Sequence, residues 1–143
     1  MGDSLERVRV ARYLTMEDAA TFHGHMGPFL VIGYRAGRYA VEVLGPRDEF
    51  DLSTTVYIPL KTPFSCILDG IQCATKCTLG KWNIKWVESD EFKIEFLCKS
   101  TGKKLVLKVK PEIIEEALNC LDIREMVRKL TMIEIEDIAE VMS

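Results

Sequence analysis

The sequence predicts an α+β fold. Two observations carry the prediction. Four stretches, near 53–59, 82–87, 92–99 and 104–110, are β-branched or alternate apolar with polar residues. Helical periodicity lies before the first stretch, between the first and second, and in three segments after the last. Helices grouped around a run of strands suit α+β better than a regular βαβ alternation.

Thr15 and Asp18 form a capping box that opens a short helix running toward Phe22. The next six residues, His23 to Pro28, hold two glycines and a proline and read as a loop. Pro28 suits the first turn of a new helix, which spans Phe29–Leu44 and stops at Gly45-Pro46. Its apolar residues cover a wide arc, so burial on most sides is expected, and Gly33 and Gly37 permit close approach by another backbone. Residues 53–59 form the first strand. Thr62 and Pro63 read as the cap and first residue of a helix carrying Cys66, Asp69 and Cys73. The three later strands, joined by turn signals at 88–90 and 100–102, are simplest as an antiparallel meander with one wet face. Cys98 falls on its apolar side, and Trp82 and Trp86 read as core or interface. Pro111 opens the first C-terminal helix, which carries Cys120 near its end as a packing residue. Asp122 caps the second, and Thr131 with Glu134 caps a third reaching Met142.

At 143 residues the chain makes one domain with enough bulk for a core. Hydrophobic residues are 48% and charged residues 29%, a globular balance. A net charge of −3 argues against nucleic-acid binding. No apolar run approaches a membrane span, and no secretory leader is visible, so a cytoplasmic protein is expected. Five cysteines without a leader read as free thiols or metal ligands. Gly80-Lys81 is not a phosphate loop, because Thr75 replaces the first glycine of that pattern and Trp82 follows the lysine.

Two segments carry possible chemistry. The only histidines, His23 and His25, flank one glycine. In a loop that spacing lets both imidazoles point inward toward a metal, and hydrogen bonding in a tight turn is the alternative. On a continuous helix Cys66, Cys73 and Cys77 would share one face with Asp69 about 60° away. Cys66 and Cys73 would still be about 10 Å apart along the axis, too far for one ion with metal–sulfur bonds of about 2.3 Å. Either the helix ends before Cys77, or one cysteine meets ligands from elsewhere, or the cysteines are packing residues.

Together, Phe22 to Pro28, Gly33 to Gly37 with Ala40, Cys66 to Gln72 and Cys77 to Asn83 resemble the E-subunit family of formylmethanofuran dehydrogenase. The likeness is detailed from Thr15 to Asn83 and looser through the strands. It implies an α+β domain holding a divalent metal, expected to be zinc, through His23 and His25 with Cys66 and Cys77. Family members often carry a cysteine where Met26 stands and a glycine where Lys76 stands. Many also carry a C-terminal four-cysteine zinc module, which is not expected here because no Cys-x-x-Cys pair follows Cys77. Nothing matches a pterin site.

The expected function is a metal-binding domain accessory to a molybdenum or tungsten oxidoreductase. The alternatives are a zinc-dependent enzyme on a small substrate, with Asp69 or Lys81 handling protons, or a redox sensor using Cys66, Cys73 or Cys77. The generous apolar surface of 29–44 and of the C-terminal helices predicts a homodimer.

Overall fold

The computed structural model describes Val8 and residues 10–143. Helix α1 is Met16–His23 and helix α2 is Pro28–Leu44. Strand β1, Leu52–Ile58, leads through helix α3, Cys66–Thr75, and a 3-10 turn at Leu79–Lys81 to strand β2, Ile84–Glu88. Strands β3, Lys93–Cys98, and β4, Lys104–Val109, form a hairpin. Helices α4, Pro111–Asn119, and α5, Ile123–Met132, precede a single helical turn, α6, Ile135–Ile138, and strand β5, Ala139–Met142.

The five strands make one sheet in the order β2-β1-β3-β4-β5. The α+β reading holds and the C-terminal helices are present, but the sheet is not a simple meander. β1 lies between β2 and β3, parallel to β2 with Thr54 opposite Ile84, and antiparallel to β3 with Thr54 opposite Phe96. The reason is α3, a crossover helix between β1 and β2 that delivers β2 parallel to β1. Alternation along a strand reports its two faces and says nothing about its neighbour. The last four residues of the expected third helix instead form β5, antiparallel to β4 with Leu107 opposite Val141. Thr131 is not a cap: α5 continues past it, and its hydroxyl donates to the Val127 carbonyl at 2.7 Å. The helix expected from Thr62 begins later, at Cys66, after a Thr62–Pro63 peptide that is cis. Asp122 caps α5 as expected, accepting from the Glu125 amide at 3.2 Å.

The core lies on one face of the sheet. β1 alternates buried and half-buried residues throughout, and β3 does the same. Ile94, Phe96, Leu105 and Leu107 meet Ile32 of α2 and Ile67 and Ile71 of α3 in one apolar cluster. Pro28, Phe29, Leu30, Val31 and Ile32 are all buried, so α2 runs through the interior at its N-terminal end. The glycine stripe of α2 meets α3 of the same chain. A Cβ at Gly33 would fall 2.1 Å from the Ile67 carbonyl oxygen, and one at Gly70 would fall 2.2 Å from the Leu30 carbonyl oxygen. Both glycines are needed because two backbones touch there. Trp82 and Trp86 are not core: they are 76% and 43% exposed at the β2 edge. Cys98 is fully buried, and Cys120 packs half-buried against the core.

A buried carboxylate ties the start of β1 to the end of β3. Asp51 accepts from the Arg47 amide at 2.8 Å, the Ser100 amide at 2.9 Å and the Ser100 hydroxyl at 2.7 Å. Burial pushes its carboxyl up, but these hydrogen bonds, with a weaker one from the Cys98 thiol, outweigh burial and hold it below its ordinary value.

Two outcomes follow from this packing. Gly70→Ala is expected to lower stability by about 2–3 kcal/mol, because the new methyl meets backbone atoms that have no room to move. Gly80→Ala, where nothing lies within 4 Å, should change stability by less than about 0.5 kcal/mol. Urea unfolding of both variants checks the contrast. Asp51→Asn is expected to cost about 2 kcal/mol near neutral pH. The Asp51 carboxyl is depressed in the folded chain, so its contribution is complete above the unfolded value of about 4 and is lost as pH falls through the lower folded value. Wild-type and variant stability curves should therefore converge only below about pH 4.

Candidate metal centre

The His23–His25 segment joins α1 to α2, and both of its ends are fixed locally. The Thr15 side chain accepts from the Asp18 amide at 3.0 Å while Asp18 accepts from the Thr15 amide at 2.9 Å, the capping box read from the sequence. The Tyr34 hydroxyl of α2 donates to the Leu14 carbonyl at 2.7 Å and ties the start of α1 to α2. His23 is the last residue of α1, and Gly24, at φ 112°, ends the helix in a conformation a side chain would strain. Gly27 then caps α2 ahead of Pro28. The imidazoles therefore leave from a helix end and a loop, and their ring centroids lie 4.7 Å apart at an interplanar angle of 47°. A methyl at Gly27 would come within 3.4 Å of His25 Nε2, so the loop closes tightly on that ring.

The glycine contact between α2 and α3 sets Asp69 of α3 against α1. His23 Nδ1 lies 2.6 Å from Asp69 Oδ2, across 46 positions of sequence. A carboxylate only accepts, so the proton of this bond sits on Nδ1 and donates. In the neutral ring Nε2 is then a lone-pair donor to a metal or an acceptor for a hydrogen bond. It is buried and has no hydrogen-bond partner, the single buried side-chain nitrogen or oxygen in that condition among the described residues. The His23 side chain as a whole is 11% exposed.

The cysteines divide. Cys66 opens α3 one turn before Asp69 and is half-buried; burial first, and the Asp69 charge second, push its thiol up. Cys73 packs with Ala19 and Leu30, and burial, helped by Asp69 and Asp18, pushes its thiol up to about 11. Cys77 lies beyond α3, which ends at Thr75 with Lys76 in the left-handed region at φ 67°. Glycine would adopt this conformation without a Cβ penalty, and Lys76 adopts it here at the end of α3. The turn sends Cys77 into the core against β1. Its thiol donates to the Leu52 carbonyl at 3.3 Å and accepts from the Thr54 hydroxyl at 3.4 Å. The Lys81 ammonium donates to the Thr78 hydroxyl at 2.7 Å, and burial depresses it, against the charges of Cys77 and Glu49. The structure thus sets His23 against both His25 and Asp69, with Cys66 one turn before Asp69 on α3. It places Cys77 and Lys81 in the segment that follows α3. Among the described residues no three His, Cys, Asp or Glu side chains already converge as a complete metal site. The His23–Asp69 pairing was not legible in the sequence, although both residues stand inside the two motifs singled out there.

A small pocket of about 200 Å³ opens beside Asp69, between Leu68, Gln72, Leu79, Ile84 and Trp86. No described helix is long and apolar enough to cross a membrane.

Known proteins share parts of this sequence and fold. A segment of 71 residues is 35% identical to a probable S-adenosyl-L-methionine-binding protein of Archaeoglobus fulgidus. That segment is 49% of this chain and 19% of the relative, so the chain matches only a small part of that protein. Over 95% of its length the chain is similar in fold to the crystal structure of a tungsten formylmethanofuran dehydrogenase E-subunit (FmdE)-like protein from Syntrophus aciditrophicus, with a TM-score of 0.60 and 19% identity. The match covers 75% of that chain. The model of the FmdE family, described by the molybdenum formylmethanofuran dehydrogenase operon, matches residues 22–142, from the residue before His23 to the end of β5. The chain belongs to the FmdE family.

Proposed function

We propose that this chain binds one divalent transition metal, with zinc the expected ion, and serves as an accessory metal-binding domain to a molybdenum or tungsten oxidoreductase. His23 Nε2 and the His25 imidazole are the proposed nitrogen donors and Cys66 the proposed sulfur donor. One observation carries the reading: a buried imidazole nitrogen with no partner, on a ring whose other nitrogen is held by a carboxylate at 2.6 Å. A metal-bound histidine is usually oriented in this way by a carboxylate on its second nitrogen. Bound there, zinc would supply Lewis acidity and positive charge. The chain's own contribution is to hold the His23 tautomer through Asp69 and to seat His25 against Gly27. Cys77 is a weaker proposal as ligand, because both hydrogen-bonding roles of its thiol are filled in the core. The operon named in the family's description supports the oxidoreductase partner.

The zinc-enzyme reading is favoured by one feature, the pocket of about 200 Å³ that touches Asp69 and could seat a small substrate. Of its two proton-handling residues, Asp69 lines that pocket, whereas Lys81 is bonded to Thr78. The redox-sensor reading draws less support, since burial keeps Cys73 and Cys77 protonated and a thiol is a poor nucleophile.

We also propose a homodimer, on a different basis from the glycine stripe, which α3 covers within the chain. β2 is an edge strand with Trp86 and Val87 exposed, and Leu79 and Trp82 beside it are exposed as well. Apolar side chains on an open edge are a common pairing surface.

Zinc-reconstituted protein is expected to hold about one ion per chain by elemental analysis, and an ion-free product would reject the metal reading. His23→Ala should abolish occupancy. Asp69→Asn should weaken zinc affinity about 10- to 100-fold in a chelator competition while leaving the fold intact. Cys66→Ser should lower metal content with little change in helical signal, and full occupancy in that variant would remove Cys66 from the site. For the dimer, sedimentation equilibrium is expected to return twice the chain mass, and a concentration-independent monomer would reject it.

A further inference from the structure

A cleft of about 750 Å³ opens between α4 and the adjoining ends of β3, β4 and β5. It shares no residue with the imidazole site. Its apolar surface comes from Phe92, Val109, Pro111, Ile114 and Leu118. Val109 and Ile114 are buried, and Leu118 is 48% exposed. Helix α4 explains the arrangement. Ile113, Ile114 and Ala117 turn into the core, while Glu112, Glu115 and Leu118, three apart, follow one another along the helix beside the opening.

The remainder of the lining is charged, and the charge is one-sided. Asp90, Glu91, Glu112, Glu115 and Glu140 face two lysines, Lys108 and Lys110. Among the described residues none of these five carboxylates joins an ion pair, in contrast to Glu116 on the same helix, which pairs with Lys129. Glu112 and Glu115 are one helical turn apart and repel each other. A cleft with an apolar floor and surplus negative charge attracts a ligand that is apolar on one side and cationic on the other. The volume lies within the range of small-ligand pockets and also admits two or three side chains of a docked peptide.

We propose that this cleft docks a basic amphipathic segment of another protein, with apolar side chains on the Phe92–Leu118 floor and lysines or arginines among the five carboxylates. Charge complementarity selects this occupant: an acidic or neutral segment would leave the carboxylates unrelieved, and a nucleic acid would be repelled. The proposal does not depend on the metal reading.

The probe is a fluorescently labelled, amidated twelve-residue peptide of leucine and lysine in helical amphipathic order, read by anisotropy against the full chain. Its counterpart with glutamate for lysine is the control. The lysine peptide is expected to bind and the glutamate peptide not to bind. Raising salt from about 0.05 to 0.3 M should weaken binding about tenfold. The double variant Glu112→Lys/Glu115→Lys and the single variant Leu118→Asp should each weaken it at least about tenfold, and all these positions are exposed, so the fold should survive by circular dichroism. Glu134→Lys/Glu136→Lys, which adds the same charge outside the cleft lining, should weaken binding much less than the cleft variant. Absence of binding by wild type overturns the proposal. So does an effect of Glu134→Lys/Glu136→Lys equal to that of the cleft variant, which would mean adsorption by net charge. Binding unchanged by Leu118→Asp overturns the apolar floor. A shift of sedimentation toward monomer in Leu118→Asp, without peptide binding by wild type, would assign the cleft to a second copy of the chain.

Discussion

The tightest constraint in this molecule is the backbone contact between α2 and α3. Gly33 meets the Ile67 carbonyl and Gly70 meets the Leu30 carbonyl at distances that leave no room for a side chain. Much of the rest depends on that contact. It seats Ile67 and Ile71 on the core face of the sheet and brings α3 beside α1. Because α1 ends at His23 and α3 carries Asp69, the same contact decides that a histidine and a carboxylate 46 positions apart share a hydrogen bond. A Cβ on either glycine would clash with the facing backbone and force α2 and α3 apart.

The electrostatics of the site follow from burial. Asp69 accepts a hydrogen bond from Nδ1 of His23. The bond sets the tautomer and turns Nε2 into the interior, where no described residue hydrogen-bonds it. A buried polar atom in that condition costs stability, and this is the feature on which the proposed metal site rests. The thiols nearby respond in the opposite sense: burial holds Cys66 and Cys73 protonated, and only a cation close by would reverse that preference. The family assignment fits this picture without supplying its chemistry, since FmdE membership rests on the chain's sequence and the solved relative shares fold at 19% identity.

The sheet gives the molecule two unlike borders. β2 ends one side with exposed tryptophan and valine, and β5 ends the other beside the acidic cleft. Both follow from chain path. The α3 crossover pushes β2 to the outside of β1, and the return of the C-terminus lays β5 on β4. Between them β1 is held in the middle, its first end tied to the turn after β3 by Asp51 and Ser100.

Local signals in the sequence determined the class of fold, most element boundaries to within a few residues, and the caps at Thr15, Gly45 and Asp122, because each depends on neighbours within one turn or strand. They also marked the His-Gly-His loop, since glycine and proline break helices wherever they occur. Residues 139–142 were misread as helix because pairing with β4 outweighs a weak helical pattern at a chain end. Of the two readings given to the tryptophans, core or interface, the core one fails, because alternation shows that a strand has two faces and cannot show whether either is covered. Only the tertiary structure decided the parallel placement of β2, the seating of Cys77 against β1 after the left-handed turn at Lys76, and the pairing of His23 with Asp69. Each of these is a distance between residues far apart in the chain, and such distances are set by which surfaces pack, here by two glycines that let two helices touch.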